Sequence, residues 1–420
     1  MTIWVLVAVV IVLAAIGVPI ATSILAGCLV YFFISDLSIY HAMKLVVDGS
    51  FSFILLAIPF FILASQVMNE GAITRKMFDF ANKLVGHLPG GLGHVNILTS
   101  VIFAGMSGSA VADASGIGAM SARAMVERGF SNGFSAAVTT SSAVIGPIIP
   151  PSIPIVIYAS VSGASVGELF VAAIIPGLLM AVALSTYCWF VAVRRDYPRE
   201  ARSSALDVLV AFRKSALALF TPVILVGGIY TGAFTPTEAA AVASIYAILL
   251  TFLVERTMTF WKLFWIGVDV AKLSGNILFL IASVALLTWI VAYEQIPEVI
   301  SNWVLDQGFT RVQFLFVINV VLLLAGALLP TEIMLLVLVP ILLPALESFG
   351  IHPVHFGIVV ILNLMIGLNT PPFGLLLFVA STVMGVKMKE LLAESWPMLI
   401  ALVVVLLLVT YFEAITLILI

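Results

Sequence analysis

The sequence predicts an all-α protein that crosses a membrane many times and contains an inverted internal repeat. Three observations predict this fold class: an extreme apolar composition, apolar runs of spanning length, and a repeat at one constant spacing. Of the 420 residues, 63% are hydrophobic and only 9% are charged, with a mean hydropathy of +1.25. Soluble domains have about 45–50% apolar and about 25% charged residues. The composition therefore predicts an integral membrane protein.

Charge and cysteine content exclude two classes of function. The net charge is −3, and no basic stripe of the kind that binds phosphates is present, so nucleic-acid binding is excluded. Cys28 and Cys188 each lie in an apolar stretch, and two such residues make neither a disulfide framework nor a zinc cage. We therefore expect no transition metal.

Apolar runs long enough for about 20 helical residues, the length that spans hydrocarbon, recur along the whole chain. We predict crossings at residues 2–16, 18–35, 50–69, 131–160, 170–193, 216–234, 238–254, 274–293, 354–385 and 396–415. Two further stretches, 94–126 and 311–346, are interrupted by small, polar or proline residues at 105–109 and 326–332. We predict that both are re-entrant helical hairpins.

The basic residues support this topology because Lys and Arg accumulate on cytoplasmic ends. With both hairpins returning to their own side, all of the 18 basic residues except Lys44 and Arg311 fall on the cytoplasmic side. Both termini are then predicted to be periplasmic. Segment 194–215 is the one sizeable hydrophilic connection, and we expect a loop or interfacial helix that touches lipid headgroups.

The two halves of the chain match at an offset of 221 residues. The matches are Ala104-Gly105 with Ala325-Gly326, Pro150-Pro151 with Pro371-Pro372, Ala159-Ser160 with Ala380-Ser381, and Pro176 with Pro397. Five predicted crossings separate the hairpins, and an odd number inverts the second copy. Inverted repeats with discontinuous helices are typical of secondary transporters, which bind substrate and ions near the midplane.

Four polar or proline-rich segments break the predicted helices, and they supply the candidate site residues. Proline frees backbone carbonyls that lipid cannot satisfy. Such carbonyls, with Ser, Thr and Asn oxygens, suit a hard cation, and half-helix N-termini suit a carboxylate. We expect sodium or a proton as the coupling ion, with two sodium ions as the working hypothesis. The candidate sodium ligands are Ser107, Gly108, Ser109, Gly146, Pro147, Pro150, Gly326, Leu329, Asn369, Thr370 and Pro371. The candidate substrate contacts are Ser109, Ser142, Ser152, Thr331, Glu332, Asn369 and Pro372.

Two acids lie deep in the predicted membrane region, where ionisable residues are functional hypotheses by default. Asp113 follows the first hairpin tip and has a second interpretation, as a structural acceptor for backbone amides across the hairpin. Glu332 follows the second tip. It faces the substrate, lines the sodium site or carries a proton, and the sequence does not rank these roles.

These motifs resemble the large membrane subunit (DctM family) of tripartite ATP-independent periplasmic (TRAP) transporters. The resemblance covers essentially the whole chain. It rests on Gly-Met-Ser-Gly-Ser followed by Ala112-Asp113, on the break from Gly146-Pro147 to Pro150-Pro151-Ser152, on Pro340 and Pro344 in the second hairpin, and on Asn369-Thr370-Pro371-Pro372. Family members commonly carry an acid near the position of Pro330, whereas here the acid is Glu332.

The resemblance implies an elevator-type transporter of the bacterial inner membrane, with sodium coupling and a small organic acid, such as a C4-dicarboxylate or sialic acid, as substrate. It also implies two partners, a small four-helix membrane subunit and a periplasmic substrate-binding protein, in addition to lipids. We divide the chain into N-terminal scaffold helices with an interfacial arm (1–92), a first transport repeat (93–193), a basic cytoplasmic loop with scaffold helices and a second arm (194–310), and a second transport repeat (311–420). In the repeats, hairpins 94–126 and 311–346 precede broken helices 131–160 and 354–385.

The sequence leaves two alternative functions. A stand-alone sodium/anion symporter of related fold would transport without a binding protein. An intramembrane enzyme is the alternative of a different class, but Asp113 has no evident second acid facing it and no base is evident at the membrane centre. We therefore predict no catalytic residues. No phosphate-binding loop appears in the sequence, so ATP is not the expected energy source.

Overall fold

The computed structural model describes residues 2–69 and 72–420, and every regular element in these ranges is helical. The helices are α1 (Thr2–Ala15), α2 (Ile20–Ile34), α3 (Ile39–Ser50), α4 (Ala57–Met68), α5 (Ala72–Val85), α6 (Gly91–Ser107), α7 (Ala110–Asp113), α8 (Ala119–Glu127), α9 (Asn132–Ala143), α10 (Ile153–Ser162), α11 (Val166–Arg194), α12 (Ala205–Tyr230), α13 (Pro236–Leu249), α14 (Phe260–Tyr293), α15 (Ile296–Asp306), α16 (Arg311–Leu328), α17 (Thr331–Ser348), α18 (Pro353–Gly367), α19 (Leu375–Met384), α20 (Met388–Tyr411) and α21 (Ala414–Leu417). A 3₁₀ turn (Phe53–Leu56) precedes α4, and π turns (Ala114–Gly118 and Leu250–Val254) follow α7 and α13.

Many of these helices meet the length and hydropathy of membrane spans. Within the described ranges, seven helices are long and apolar enough to cross: α11, α12, α13 with its π turn, α14, α16, α17 and α20. The pair formed by α3 and the segment Phe53–Met68, which is bent by 51°, makes an eighth candidate. The prediction of an all-helical, multi-span membrane protein is confirmed.

Two helices begin earlier than the apolar runs from which their crossings were predicted. The hydrophilic segment 194–215 contains the first residues of α12, which begins at Ala205. Ser204 and Asp207 form a reciprocal capping box there, which fixes a helix start inside a polar stretch. Likewise α14 begins at Phe260, after its cap Thr259, and extends well before the predicted crossing 274–293.

The repeat predicted from the sequence recurs in the helix boundaries. Residues 110 and 127 bound the returning arm of the first hairpin, and residues 331 and 348 bound α17, the same arm of the second. Helices α9 and α18 begin at 132 and 353, which preserves the offset of 221. Pro150-Pro151 and Pro371-Pro372, at matching positions, are both cis. Between the hairpins lie the broken pair α9–α10, the four helices α11 to α14 and the short helix α15. The inversion of the second copy stays a prediction.

Each hairpin packs on the broken helix of its own repeat through a buried polar contact. The Ser100 hydroxyl lies 3.0 Å from the Ser142 hydroxyl between α6 and α9. In the second repeat the Asn363 amide donates to the Asn319 side-chain oxygen at 2.6 Å, between α18 and α16. Ser142 and Asn363 are 221 residues apart, whereas Ser100 corresponds to Val321 and not to Asn319. Both repeats therefore use a buried polar contact, but at different hairpin positions.

The second hairpin approaches its broken helix through two glycines. A Cβ atom on Gly367 would lie 2.6 Å from the carbonyl carbon of Gly326. A Cβ atom on Gly326 would lie 3.1 Å from the Cα atom of Leu364. The backbones of α16 and α18 are thus closer than any larger residue allows.

We expect Gly367→Ala to separate α16 from α18 and to destabilise the protein by about 1–3 kcal/mol, as overpacking of a tight contact does. Gly275→Ala is the matched control, because Gly275 is helical and an added Cβ there meets nothing within 4 Å. That change is neutral or stabilising by up to about 1 kcal/mol. Thermal unfolding of the purified variants measures the difference, and equal melting temperatures would contradict the packing argument.

Candidate functional site

Both hairpin tips and residues of both broken helices surround one cavity of about 250 Å³. The first repeat contributes the tip residues 107–112 with Pro147, Ile153 and Pro154, and the second contributes Pro330, Thr331, Glu332, Met365, Leu368 and Leu375. The remaining wall comes from α4 and α14, through Ile62, Ser65, Gln66, Leu273 and Ile277. The cavity therefore lies where the two repeats meet helices outside them.

The first hairpin tip is a tight reversal built by Gly108. Gly108 ends α6 in the left-handed region with φ +59°, and an added Cβ would lie 2.7 Å from the carbonyl oxygen of Pro151. Ser109 then starts α7 by accepting the backbone N–H of Ala112 at 3.4 Å. The Ser107 hydroxyl donates to the Ser109 carbonyl at 3.4 Å. The tip consequently rests directly on the first helix break, as the sequence predicted.

The first break is satisfied by its own residues. Ser152 caps α10 by accepting the N–H of Ile155 at 3.2 Å, and its hydroxyl donates to the freed carbonyl of Pro147. Pro150 is buried beneath α6, where its carbonyl oxygen lies 3.8 Å from a Cβ placed on Gly105. The serine thus supplies the hydrogen bond that a continuous helix would have supplied.

Asp113 is fully buried against the first break. An added Cβ on Gly146 would lie 2.5 Å from Asp113 Oδ2. Neither carboxylate oxygen has a hydrogen-bond partner among the described residues. The Ser107 hydroxyl, which adjoins Asp113, donates to the Ser109 carbonyl at 3.4 Å. No backbone amide of the described residues donates to Asp113, and its functional role stays a prediction.

The second tip is formed by Leu329 and Pro330, between α16 and α17. Thr331 and Glu332 occupy the first turn of α17 and line the cavity. A neighbouring groove of about 240 Å³ lies between this tip and residues on either side of the second break, which are Leu368, Phe373 and Leu375. The predicted approach of residues 330–332 to residues 369–372 stays a prediction, because the groove is lined by the residues that flank this break.

The second break is bonded to the first repeat. The Asn369 amide, fully buried, donates to the Ser141 hydroxyl of α9 at 3.1 Å, while its side-chain oxygen has no partner in the described chain. The Thr370 hydroxyl donates back to the Ile366 carbonyl at 2.8 Å. Asn369 therefore joins the two repeats beside the cavity.

The structure separates the predicted site residues into groups. Those that line the cavity are Ser107, Gly108, Ser109, Pro147, Thr331 and Glu332. Gly146 contacts Asp113, and Gly326 and Leu329 line the neighbouring groove. Those that do not line the cavity are Ser142, Pro150, Ser152, Asn369, Thr370, Pro371 and Pro372. Which of these residues bind sodium and which bind substrate stays a prediction.

Sequence reasoning missed the polar residues that α4 presents to the cavity. Ser65, which is 6% exposed, and Gln66 line the wall opposite the two repeats. Neither side chain has a hydrogen-bond partner among the described residues. The available signal was a pair of adjacent polar residues in an otherwise apolar run. Their place in the site depends on tertiary packing, which the run does not show.

Among the described residues, the cavity wall contains one acidic side chain, Glu332, and no Lys or Arg. The Glu332 carboxylate forms neither an ion pair nor a hydrogen bond to another side chain of the described chain. Helices α10 and α17 begin at the wall, and their N-termini provide the positive ends of helix dipoles. Any anion bound here therefore depends on hydroxyls, dipoles and bound cations.

Comparisons with known proteins place this architecture in one family. Residues 7–415 match the model of the tripartite ATP-independent periplasmic transporter, DctM component. The chain is 40% identical to the sialic acid TRAP transporter large permease protein SiaM of Vibrio cholerae, over 96% of this chain and 95% of that protein. It is 39% identical to the C4-dicarboxylate TRAP transporter large permease protein DctM of Pseudomonas aeruginosa, over 94% and 92%.

Two further similarities extend the comparison. The 2,3-diketo-L-gulonate TRAP transporter large permease protein YiaN of Escherichia coli is 37% identical, over 92% of each chain. The crystal structure of the Alcanivorax borkumensis YdaH transporter superposes with a TM-score of 0.64 at 13% identity, and the match covers 89% of this chain and 88% of that one. That likeness concerns the fold alone.

We expect Gly108→Ala to loosen the first hairpin tip from its break, because the new methyl group is placed against the Pro151 carbonyl. The control is Gly163→Ala, since Gly163 has the same left-handed backbone, with φ +71°, but nothing lies within 4 Å of an added Cβ. Backbone strain of about 1–2 kcal/mol is common to both. Hydrogen–deuterium exchange should rise across residues 108–113 and 144–152 only in Gly108→Ala. The same change in both variants would contradict the proposed contact.

Proposed function

Because the chain belongs to the DctM family of tripartite ATP-independent periplasmic transporter components, we propose that it imports a small organic acid by sodium-coupled secondary transport. It does so as the large subunit of an assembly in the bacterial inner membrane. The family and its large permease subunits are transport proteins, so the chain is not an enzyme. The relatives are named for sialic acid, C4-dicarboxylates and 2,3-diketo-L-gulonate, all organic acids.

The observation that carries the proposal is the single cavity shared by the two hairpin tips and the two broken helices. In a transporter built from inverted repeats, the substrate binds where discontinuous helices meet. The described part of the cavity wall has hydroxyls, helix N-termini and a carboxylate, but no basic side chain. An anionic substrate entering it needs an accompanying cation.

Asp113 supports sodium as that cation. Burying an ionised carboxylate without a partner is costly, and Asp113 has no partner in the described chain. Carboxylate, hydroxyl and carbonyl oxygens are the ligands that hard cations take. Ser107 and the break around Gly146, which adjoin Asp113, supply such oxygens. We propose a sodium ion bound at Asp113. The position that corresponds to Asp113 in the second repeat is Met334, so we propose the second ion at the second break, where the Asn369 side-chain oxygen has no partner among the described residues.

The cavity also supports an elevator mechanism. One wall belongs to the two repeats and the other to α4 and α14, which lie outside them. Movement of the repeats against α4 and α14 would carry the occupied cavity from one side of the membrane to the other. In this proposal the small membrane subunit holds the helices outside the repeats, and the periplasmic binding protein delivers the acid.

We expect uptake of a labelled acid by proteoliposomes to require an inward sodium gradient. At 100 mV each sodium ion contributes about 2.3 kcal/mol from the potential, and two ions contribute about 4–5 kcal/mol. The vesicles contain the chain, its small subunit and its binding protein, with N-acetylneuraminate, succinate and 2,3-diketogulonate as probes. Full uptake driven by a proton gradient without sodium would refute sodium coupling. Uptake without the binding protein would favour a stand-alone symporter.

Asp113→Asn tests the ion site directly. Removing an unpartnered buried charge should raise the melting temperature in choline chloride, whereas the extra stability that sodium confers on the wild type should be lost. The control is Asp269→Asn, because Asp269 is exposed and pairs only with Lys272 at 3.6 Å. Melting curves at increasing sodium concentration give both quantities. An unchanged sodium response in Asp113→Asn would place the ion elsewhere.

A further inference from the structure

The groups that the cavity leaves unsatisfied indicate the chemistry of the acid. Four polar side chains line its wall: Ser65, Gln66, Thr331 and Glu332. Among the described residues, the first three have no hydrogen-bond partner, and the Glu332 carboxylate accepts only from its own backbone N–H. Ser65 and Thr331 are 6% and 4% exposed, so they are shielded from bulk solvent. Buried polar groups are normally paired. The ligand is therefore expected to pair with them.

Glu332 limits which chemical group of the ligand can bind beside it in the cavity. An ionised carboxylate only accepts hydrogen bonds, and hydrogen bonds from a neutral donor to a charged acceptor are strong. A second carboxylate on the ligand would meet a like charge there, and no Lys or Arg lies among the described wall residues to compensate for it. Hydroxyl groups suit all four side chains, because a hydroxyl both donates and accepts.

We propose that the transported acid is a polyhydroxylated monocarboxylate, whose hydroxyls bind Glu332, Thr331, Gln66 and Ser65, rather than a dicarboxylate. This inference rests on the proposed function, since it specifies the substrate of the same cavity. It also gives α4 a part in recognition. Ser65 and Gln66 lie outside the repeats, so the hydroxyls bridge the two walls of the cavity.

Four six-carbon acids separate the possibilities: gluconate, hexanoate, adipate and 6-aminohexanoate. All four have a carboxylate at one end of the carbon chain. Gluconate also carries hydroxyls, hexanoate carries no further polar group, adipate ends in a second carboxylate, and 6-aminohexanoate ends in an ammonium group. The chain is reconstituted in nanodiscs with its small subunit at saturating sodium, and each acid's affinity is measured from the melting temperature. No binding protein is needed, so its own specificity does not enter.

We expect gluconate to bind at least tenfold more tightly than hexanoate and adipate. Glu332→Gln should reduce the ratio of gluconate to hexanoate affinity by tenfold or more and bring adipate closer to gluconate. Gln66→Leu should reduce the same ratio by about threefold or more, since it removes one neutral hydrogen bond. Glu298→Gln is the control, because Glu298 is exposed on α15, away from the cavity.

Several results would overturn the inference. If adipate binds as tightly as gluconate, the substrate is a dicarboxylate. If 6-aminohexanoate binds most tightly, the substrate carries a cationic group that binds Glu332. A Glu332→Gln variant that weakens all four acids equally and raises the sodium requirement would make Glu332 an ion ligand. Absence of any binding would also overturn it. Sodium-driven uptake is measured in a separate experiment. The proposed function can therefore be refuted or supported independently of the relative affinities of the four acids.

Discussion

The rest of the structure depends on the need to satisfy backbone polar groups that broken helices release inside a membrane. Lipid offers no hydrogen bonds, so a break is tolerated only where protein or a cavity covers it. Here Ser152 donates to the Pro147 carbonyl, and Thr370 donates to the Ile366 carbonyl. Asn369 adds a bond to Ser141 of the other repeat. The two breaks are thereby held in one place, and the hairpins cover them.

Covering a break at such short range determines which residues the hairpins carry. Gly108 lies against the Pro151 carbonyl, and Gly367 lies against Gly326. At both places a side chain would separate the hairpin from the broken helix. Because the tips are held on the breaks, the first residues of α7 and α17 are directed at a common cavity. Close packing of backbones, rather than packing of large apolar side chains, therefore positions the cavity residues.

Much of the fold could be predicted from the sequence, and the site only in outline. The Pro-Pro pairs predicted both breaks, and the interruptions of the apolar stretches at 105–109 and 326–332 predicted both hairpins, because proline and glycine act locally on the backbone. The start of α12 at Ala205 was missed, because a capping box inside a polar stretch does not alter hydropathy. Ser65 and Gln66 were missed for another reason. Their role follows from the packing of α4 against the repeats, and no local pattern encodes that contact.

The charges in the site connect substrate and ion binding in the proposed mechanism. Asp113 and Glu332 are both acids, and neither has a basic partner in the described chain. An anionic substrate adds a further negative charge to a poorly solvated region, where repulsion between like charges is strong. Sodium bound at Asp113 removes part of that repulsion, so each ligand raises the affinity for the other by the same factor. Coupling then needs no separate signal between distant sites, because it arises from the charge that the hairpins and breaks gather around one cavity.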